Sequence, residues 1–381
     1  MNQILSWTCL GAGLLTCGTP ALAGEVEPDV EQRLHRLEDR IGEVERRSPD
    51  WDRLSSVVHL AGYAAVGYTD SSAASGAFDQ VSFNPIFHYL YRDLLLLETE
   101  FEFEIDEEGE TETALEYATL DLFLSDYAVL LAGKFLSPIG QFRQNLHPAW
   151  INKLPSAPPG FGHDGAAPLS EIGVQARGGF ALAGTRGNYA LFAGNGPRAQ
   201  VEGGEIHGIE SEGTTSNLDG DEVWGGRVGL VPAPGLEIGV SAATGRLGLF
   251  DGTGTLLESG RDYEVFGADF VFQFSPFEMR GEYVSQTVGA EPASLVPDDH
   301  EWAAWYGQLA YRILPTRWEA VVRYGDFDSP HADDDQPQWT AGADYWFAGN
   351  VVAKLAYEWN EGRPGTAAGD DRLLLQLAYG F

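Results

Sequence analysis

The segment 371–381 constrains the fold more than any other part of the chain. Read with a period of two, Leu373, Leu375, Leu377, Tyr379 and Phe381 fall on one face, and Leu374, Gln376, Ala378 and Gly380 on the other. One face is apolar and ends in an aromatic ring; the other carries small and polar groups. Successive side chains of a strand point to opposite faces, so this segment suits a strand with lipid on one side and water on the other.

The same rhythm begins near Val57 and continues to the end, giving sixteen candidate strands. In one, Leu97, Thr99, Phe101, Phe103 and Ile105 oppose Glu98, Glu100, Glu102, Glu104 and Asp106. In another, Phe266, Ala268, Phe270, Phe272 and Phe274 are expected outside, with Asp269 and Gln273 inside. Tight turns (92–93, 125–126, 233–235, 275–276, 314–316, 349–350) alternate with longer polar links, among them 138–167, 195–221 and 246–260. Short turns on one rim and long loops on the other are the asymmetry of a membrane barrel. The expected fold is therefore all-β: a 16-stranded antiparallel transmembrane β-barrel over 51–381. Aromatic residues near strand ends, Trp302, Trp305, Trp318, Tyr324, Trp339 and Trp359 among them, are read as interfacial girdles. A soluble β-sandwich is the plain alternative, but it would not place its short turns on one side. No apolar run reaches the ~18 residues of a helical span.

Residues 1–23 read as a signal peptide, with an apolar core over 4–15 and an Ala21-Leu22-Ala23 cleavage site before Gly24. Both cysteines, Cys9 and Cys17, lie within it, so the mature chain is expected to hold neither disulfide nor thiolate metal site. Residues 24–50 are expected to form a periplasmic helix: Val30, Leu34, Leu37, Ile41 and Val44 follow a coiled-coil seam. Two heptads alone are marginal, so self-association would need a larger body to hold the copies together.

A formal net charge of −34 disfavours nucleic acid as a partner. The eight histidines are scattered, and neither an HExxH nor a GxSxG motif occurs. The runs 298–301 and 331–335 could hold a divalent cation weakly, but they lack the EF-hand pattern. We therefore expect no enzyme, no cofactor and no dedicated metal site.

The link 138–167 is the longest. Its prolines stiffen it, and Phe142, Trp150, Ile151 and Phe161 argue for packing rather than disorder. A sixteen-stranded barrel is wide enough for an aqueous lumen, which such a loop would narrow if it folded inward. Lys134, Arg143, His147, Trp150 and Lys153 are then candidates for the constriction. Glu98, Glu100, Glu102 and Glu104 would line one wall. Arg280, Arg323 and Lys354, with Arg312 and Arg317, would line another, giving a transverse field across the passage. The alternative is a loop lying over the outer rim.

Several stretches resemble bacterial outer-membrane porins related to the phosphate-selective porin O and P group. They are the heptad helix, His59-Leu-Ala-Gly-Tyr63, Phe83-Asn-Pro-Ile-Phe87, Asp93-Leu-Leu-Leu-Leu-Glu98, Gly133-Lys-Phe-Leu-Ser-Pro-Ile-Gly140 and the terminal Phe381. The resemblance implies a homotrimer embedded in outer-membrane lipid, with small hydrophilic solutes or ions diffusing passively through each subunit. Phosphate selectivity in that family relies on basic pore residues. Glutamates stand on the third strand here, so no phosphate-binding residue is carried over and cations or neutral solutes are expected. The alternatives are an anion- or phosphate-selective pore, or a barrel that scaffolds an adhesin or enzyme.

Overall fold

The computed structural model describes residues 56–381 apart from 107, 108, 164 and 183. The expected signal peptide and periplasmic helix lie outside the described residues. The strands are β1 (Ser56–Ser71), β2 (Ala77–Tyr91), β3 (Leu95–Ile105), β4 (Thr111–Ser125), β5 (Ala128–Leu136) and β6 (Ser170–Leu182). They continue as β7 (Thr185–Gly194), β8 (Arg198–Glu202), β9 (Glu205–Glu210), β10 (Val223–Ala233), β11 (Leu236–Asp251) and β12 (Leu256–Phe274). The last six are β13 (Phe277–Val288), β14 (His300–Arg312), β15 (Trp318–Asp328), β16 (Gln338–Ala348), β17 (Val351–Asn360) and β18 (Arg372–Gly380).

Strands β1–β7 and β10–β18 pair antiparallel with their neighbours, β7 joins β10, and β18 joins β1, so sixteen strands close on themselves. The seam runs in register from Tyr63↔Gly380 to Ser71↔Arg372. Phe381 extends it, with its N–H donating to Gly62 O at 2.9 Å and its carbonyl accepting from Gly62 N at 3.0 Å. Closure removes the unpaired edges that an open sheet would present, and lipid could not satisfy those groups.

The two-residue rhythm dictates what each face meets. On β18, Leu375, Leu377, Tyr379 and Phe381 are 38–51% exposed, whereas Leu374, Gln376 and Ala378 are at most 6% exposed. Outward aromatics pack in tilted and edge-on contacts over strands β14–β16, as in Trp305–Tyr324–Trp339 and Trp318–Tyr345–Phe347. Trp302 departs from the expected girdle. It shares parity with the inward Ala304 and Tyr306, and packs inside the barrel.

The sequence reading differs from the structure in the upper loops. Residues 246–260, expected as a link, continue β11 and β12 into a long hairpin turning at 252–255. The 195–221 link folds too. Its hairpin β8–β9 pairs parallel with the end of β11, Arg198↔Gly248 to Val201↔Asp251. The hairpin's Ala199, Ile206 and Ile209 are buried against Leu247 and Leu249, which is where the apolar residues of that stretch find cover.

Candidate channel constriction

The link 137–169 runs inside the barrel and is held there residue by residue. Gly140 N donates to Ser241 Oγ on β11 at 3.3 Å, Gln141 Nε2 to Glu237 on β11 at 2.9 Å, and Phe142 N to Glu282 Oε2 on β13 at 2.9 Å. Gly140 has φ +74°, and a Cβ there would overlap the Glu282 carboxylate, so only glycine fits this contact. A single wide helical turn, Phe142–Leu146, follows. Phe142 and Phe161 close edge-to-face on Tyr306 of β14, with ring centroids 6.3 and 5.1 Å away.

Further along, the barrel wall supplies cations to the loop. Arg323 on β15 donates to Ser156 O at 3.0 Å and Ala157 O at 3.1 Å. Lys354 on β17 donates to Ala149 O and, at 2.8 Å, to Gln376 Oε1. Arg280 on β13 donates to Asn152 Oδ1 at 3.3 Å. All three side chains face inward as expected but lie beneath the loop, 1–3% exposed, rather than beside open water. Arg312 instead stacks on Trp346, and Arg317 donates to Phe347 O at the short-turn rim. A buried cation is costly unless paired, and carbonyl oxygens and carboxylates of the loop and wall supply the partners. Loop residues reciprocate: Lys153 reaches Glu319 at 3.0 Å and Glu278 at 3.6 Å, and the Trp150 indole fills the space that Gly380 leaves open.

Across from these contacts stands the acidic wall of β3. Glu98 accepts from Tyr117 Oη at 3.1 Å and Glu102 from Asn84 Nδ2 at 3.3 Å; Glu100 is buried and Glu104 exposed. A fifth carboxylate joins them through a bulge. Opposite Glu100/Phe101 the β4 register jumps from Tyr117 to Leu115, so Glu116 is an extra residue. Bulges re-aim side chains, and this one turns Glu116 inward to meet Arg143. The guanidinium donates to its two oxygens at 2.8 and 3.1 Å. Lys134 donates to Leu115 O at 2.8 Å beside the bulge. His147 bonds through Nδ1 to Arg143 O and lies edge-on to Tyr63, centroids 6.5 Å apart. A cavity of about 280 Å³ lies between Gln80 and Glu104 on the wall and Pro155 and Ser156 on the loop.

The expected site residues therefore fall into two groups. Lys134, Arg143 and His147 meet the acidic wall, while Trp150, Lys153, Arg280, Arg323 and Lys354 fasten the loop to the other side. Glu116 was missed, although the sequence carries the signal: outward apolar residues shift from odd (Leu115) to even (Leu120, Leu124) numbering within β4. Among the described residues no three His, Cys, Asp or Glu side chains converge as a metal cluster, and the 298–301 and 331–335 runs form none.

A sequence profile described as Gram-negative porin matches residues 56–365. The chain belongs to the Gram-negative porin family. This porin is accordingly a bacterial outer-membrane channel for passive diffusion. Its fold is similar to that of OmpF of Salmonella typhi, solved in complex with daunomycin, at 15% identity and a TM-score of 0.58, covering 86% of this chain and 99% of that one. The anion-selective porin of Comamonas acidovorans is similar at 13% identity and TM-score 0.55, covering 86% and 100%. OmpT of Vibrio cholerae, solved in a trimer form, is similar at 12% identity and TM-score 0.52, covering 86% and 100%. At these identities the likeness concerns the fold alone. No curated protein matches the porin's sequence.

Proposed function

We propose that this porin passes small hydrophilic solutes with a preference for cations and uncharged molecules, and that Lys134, Arg143, His147, Trp150 and Lys153 belong to its constriction. The observation that carries the reading is the imbalance of free charge. Arg280, Arg323 and Lys354 are spent on the loop and its wall partners, and Arg227 on Asp269 and Glu237. Five carboxylates, Glu98, Glu100, Glu102, Glu104 and Glu116, stand together on β3 and β4, and Arg143 pairs with only one of them. A lumen lined by one sign of charge concentrates the opposite ion. Planar-bilayer current under a potassium chloride gradient tests it: the zero-current potential is expected on the cation-selective side, and an anion-selective value overturns the preference.

The same reading takes the porin as a non-enzyme. Its inward polar side chains at the loop are occupied in holding that loop, which supports a passive role. A homotrimer is proposed from the expected coiled-coil seam at 24–50 together with the trimeric form of OmpT. Native mass measurement in detergent would return three copies, or overturn it with one. Cleavage after Ala23 is proposed from the Ala-Leu-Ala signal, and sequencing of the mature N-terminus should begin at Gly24.

A further inference from the structure

The β1–β2 hairpin brings together two histidines that lie far apart in the sequence. His59 and His88 are directly opposite each other in the register, and His88 is in turn opposite Glu98 on β3. Directly opposed residues share a face of the sheet. Glu98 belongs to the inward acidic column, so all three side chains point into the lumen. They sit a few residues above the tight 92–94 turn, at the short-turn mouth of the channel. His59 is exposed, and His88 and Glu98 are about a quarter exposed, so a solute in the mouth can reach them.

The geometry of the three groups is that of a half-built coordination shell. His59 Nδ1 lies 3.2 Å from His88 Nδ1, with the rings tilted by 34°. Two nitrogens, each ~2.0–2.1 Å from one ion at 90–109°, would be separated by roughly 2.9–3.4 Å. The far nitrogen of His88, Nε2, faces Glu98 Oε1 at 3.6 Å. A carboxylate on that side favours the tautomer with its proton on Nε2, which leaves a lone pair on Nδ1, the nitrogen nearest His59. Tyr117 Oη donates to the same Glu98 oxygen at 3.1 Å and holds the carboxylate in place. A carboxylate behind an imidazole that presents its other nitrogen is the usual support of a histidine metal ligand.

We propose that His59 and His88 together bind one transition-metal cation of the zinc, nickel or copper class at the periplasmic mouth. Glu98 acts as the positioning residue for His88. Imidazole nitrogen selects these ions over magnesium and calcium, which prefer oxygen donors. Water completes the shell, and the acidic lumen draws cations towards the site. The ion sits in the path of permeating solutes, so its binding narrows the mouth and adds positive charge there.

The purified full-length porin is titrated with nickel chloride by calorimetry, and zinc chloride is then added to the short-turn side of a porin-containing bilayer. The expected result is a saturable site that magnesium does not fill, weakened at least ~10-fold in both His59→Ala and His88→Ala. Glu98→Gln weakens it by ~10–100-fold, the range seen when a supporting carboxylate is lost. Zinc lowers the current of the native porin and leaves the His59→Ala current unchanged. Variants are accepted only if they keep the barrel's heat-dependent shift on electrophoresis; Asn may replace Ala where they do not. Nickel binding that is absent up to millimolar concentration, or equal in native and both His variants, overturns the proposal. Calorimetry reads the site even if no current flows, so failure of the channel reading is distinguishable from failure of the site.

Discussion

Arg143 on the inward loop grips both carboxylate oxygens of Glu116, a residue that faces the lumen only because β4 carries one extra residue there. The pair is about 10% exposed on each side and ties the loop to the acidic wall. Removing one partner of such a buried pair strands the other charge, at a cost of about 3–5 kcal/mol. Arg143→Ala should therefore destabilise the porin more than Glu116→Gln, because it leaves the Glu116 carboxylate buried without its guanidinium, close to the carboxylates of β3. Urea unfolding of the refolded barrel measures the difference. Equal stability in native and Arg143→Ala proteins would count against the loop's being anchored here.

Lys153, at the middle of the loop, fastens it to Glu319 and Glu278 on the wall opposite the acidic column. Lys153→Ala should loosen the loop there and raise both single-channel conductance and current noise, while barrel assembly is kept. A conductance unchanged from the native value would remove Lys153 from the constriction.

Selectivity should follow the acidic column. The double variant Glu102→Gln, Glu104→Gln removes two charges without changing side-chain length, and Glu104 is exposed to the passage. The zero-current potential in a salt gradient should move towards zero, with conductance nearly preserved. A potential that stays put would place the selecting charges elsewhere.

The outer loops carry a pH-dependent tie. His163 Nδ1 and Glu212 Oε1 are 2.6 Å apart and join the inward loop to the link after β9. The bond to Glu212 raises His163 above the ordinary histidine range, and the same bond holds Glu212 below the ordinary carboxylate range. The raised histidine stabilises the tie fully below its unfolded pKa, and that contribution is lost as pH rises through the folded value. The lowered glutamate contributes above its unfolded pKa and loses its share as pH falls through the folded value. Loop contact should thus be tightest between the two. Protection of the amides near 160–163 and 211–214, with the base-catalysed intrinsic exchange rate divided out, should be highest at mildly acid pH and fall in alkaline solution. Protection that is independent of pH across that window would contradict the assignment.

Much of the barrel was legible in the sequence because its code is binary. Lipid outside and water inside force a period of two, and the tight turns mark each reversal. The alternation of β18 shows which residues face which medium, down to Phe381. Trp302 lies inside rather than in the girdle because the even-numbered residues of β14 turn inward, with Ala304 and Tyr306. The β8–β9 hairpin was hidden because it pairs with a strand extension beyond the membrane, where no alternation between lipid and water is required. Inside the lumen the reading reached residue types but not partners. Arg280, Arg323 and Lys354 were recognisable as inward cations, yet nothing local indicates that loop carbonyls would cover them. The His59–His88 meeting likewise depends on the register of a hairpin rather than on any motif.

Sixteen strands that enclose a water-filled passage narrowed, but not sealed, by the 137–169 loop must conduct ions. Single-channel recording of the purified full-length porin in a planar bilayer tests this most directly. Stepwise insertions with steady current, linear in voltage and rising with salt concentration, are the predicted result. Correctly folded barrels that insert and carry no current would contradict it.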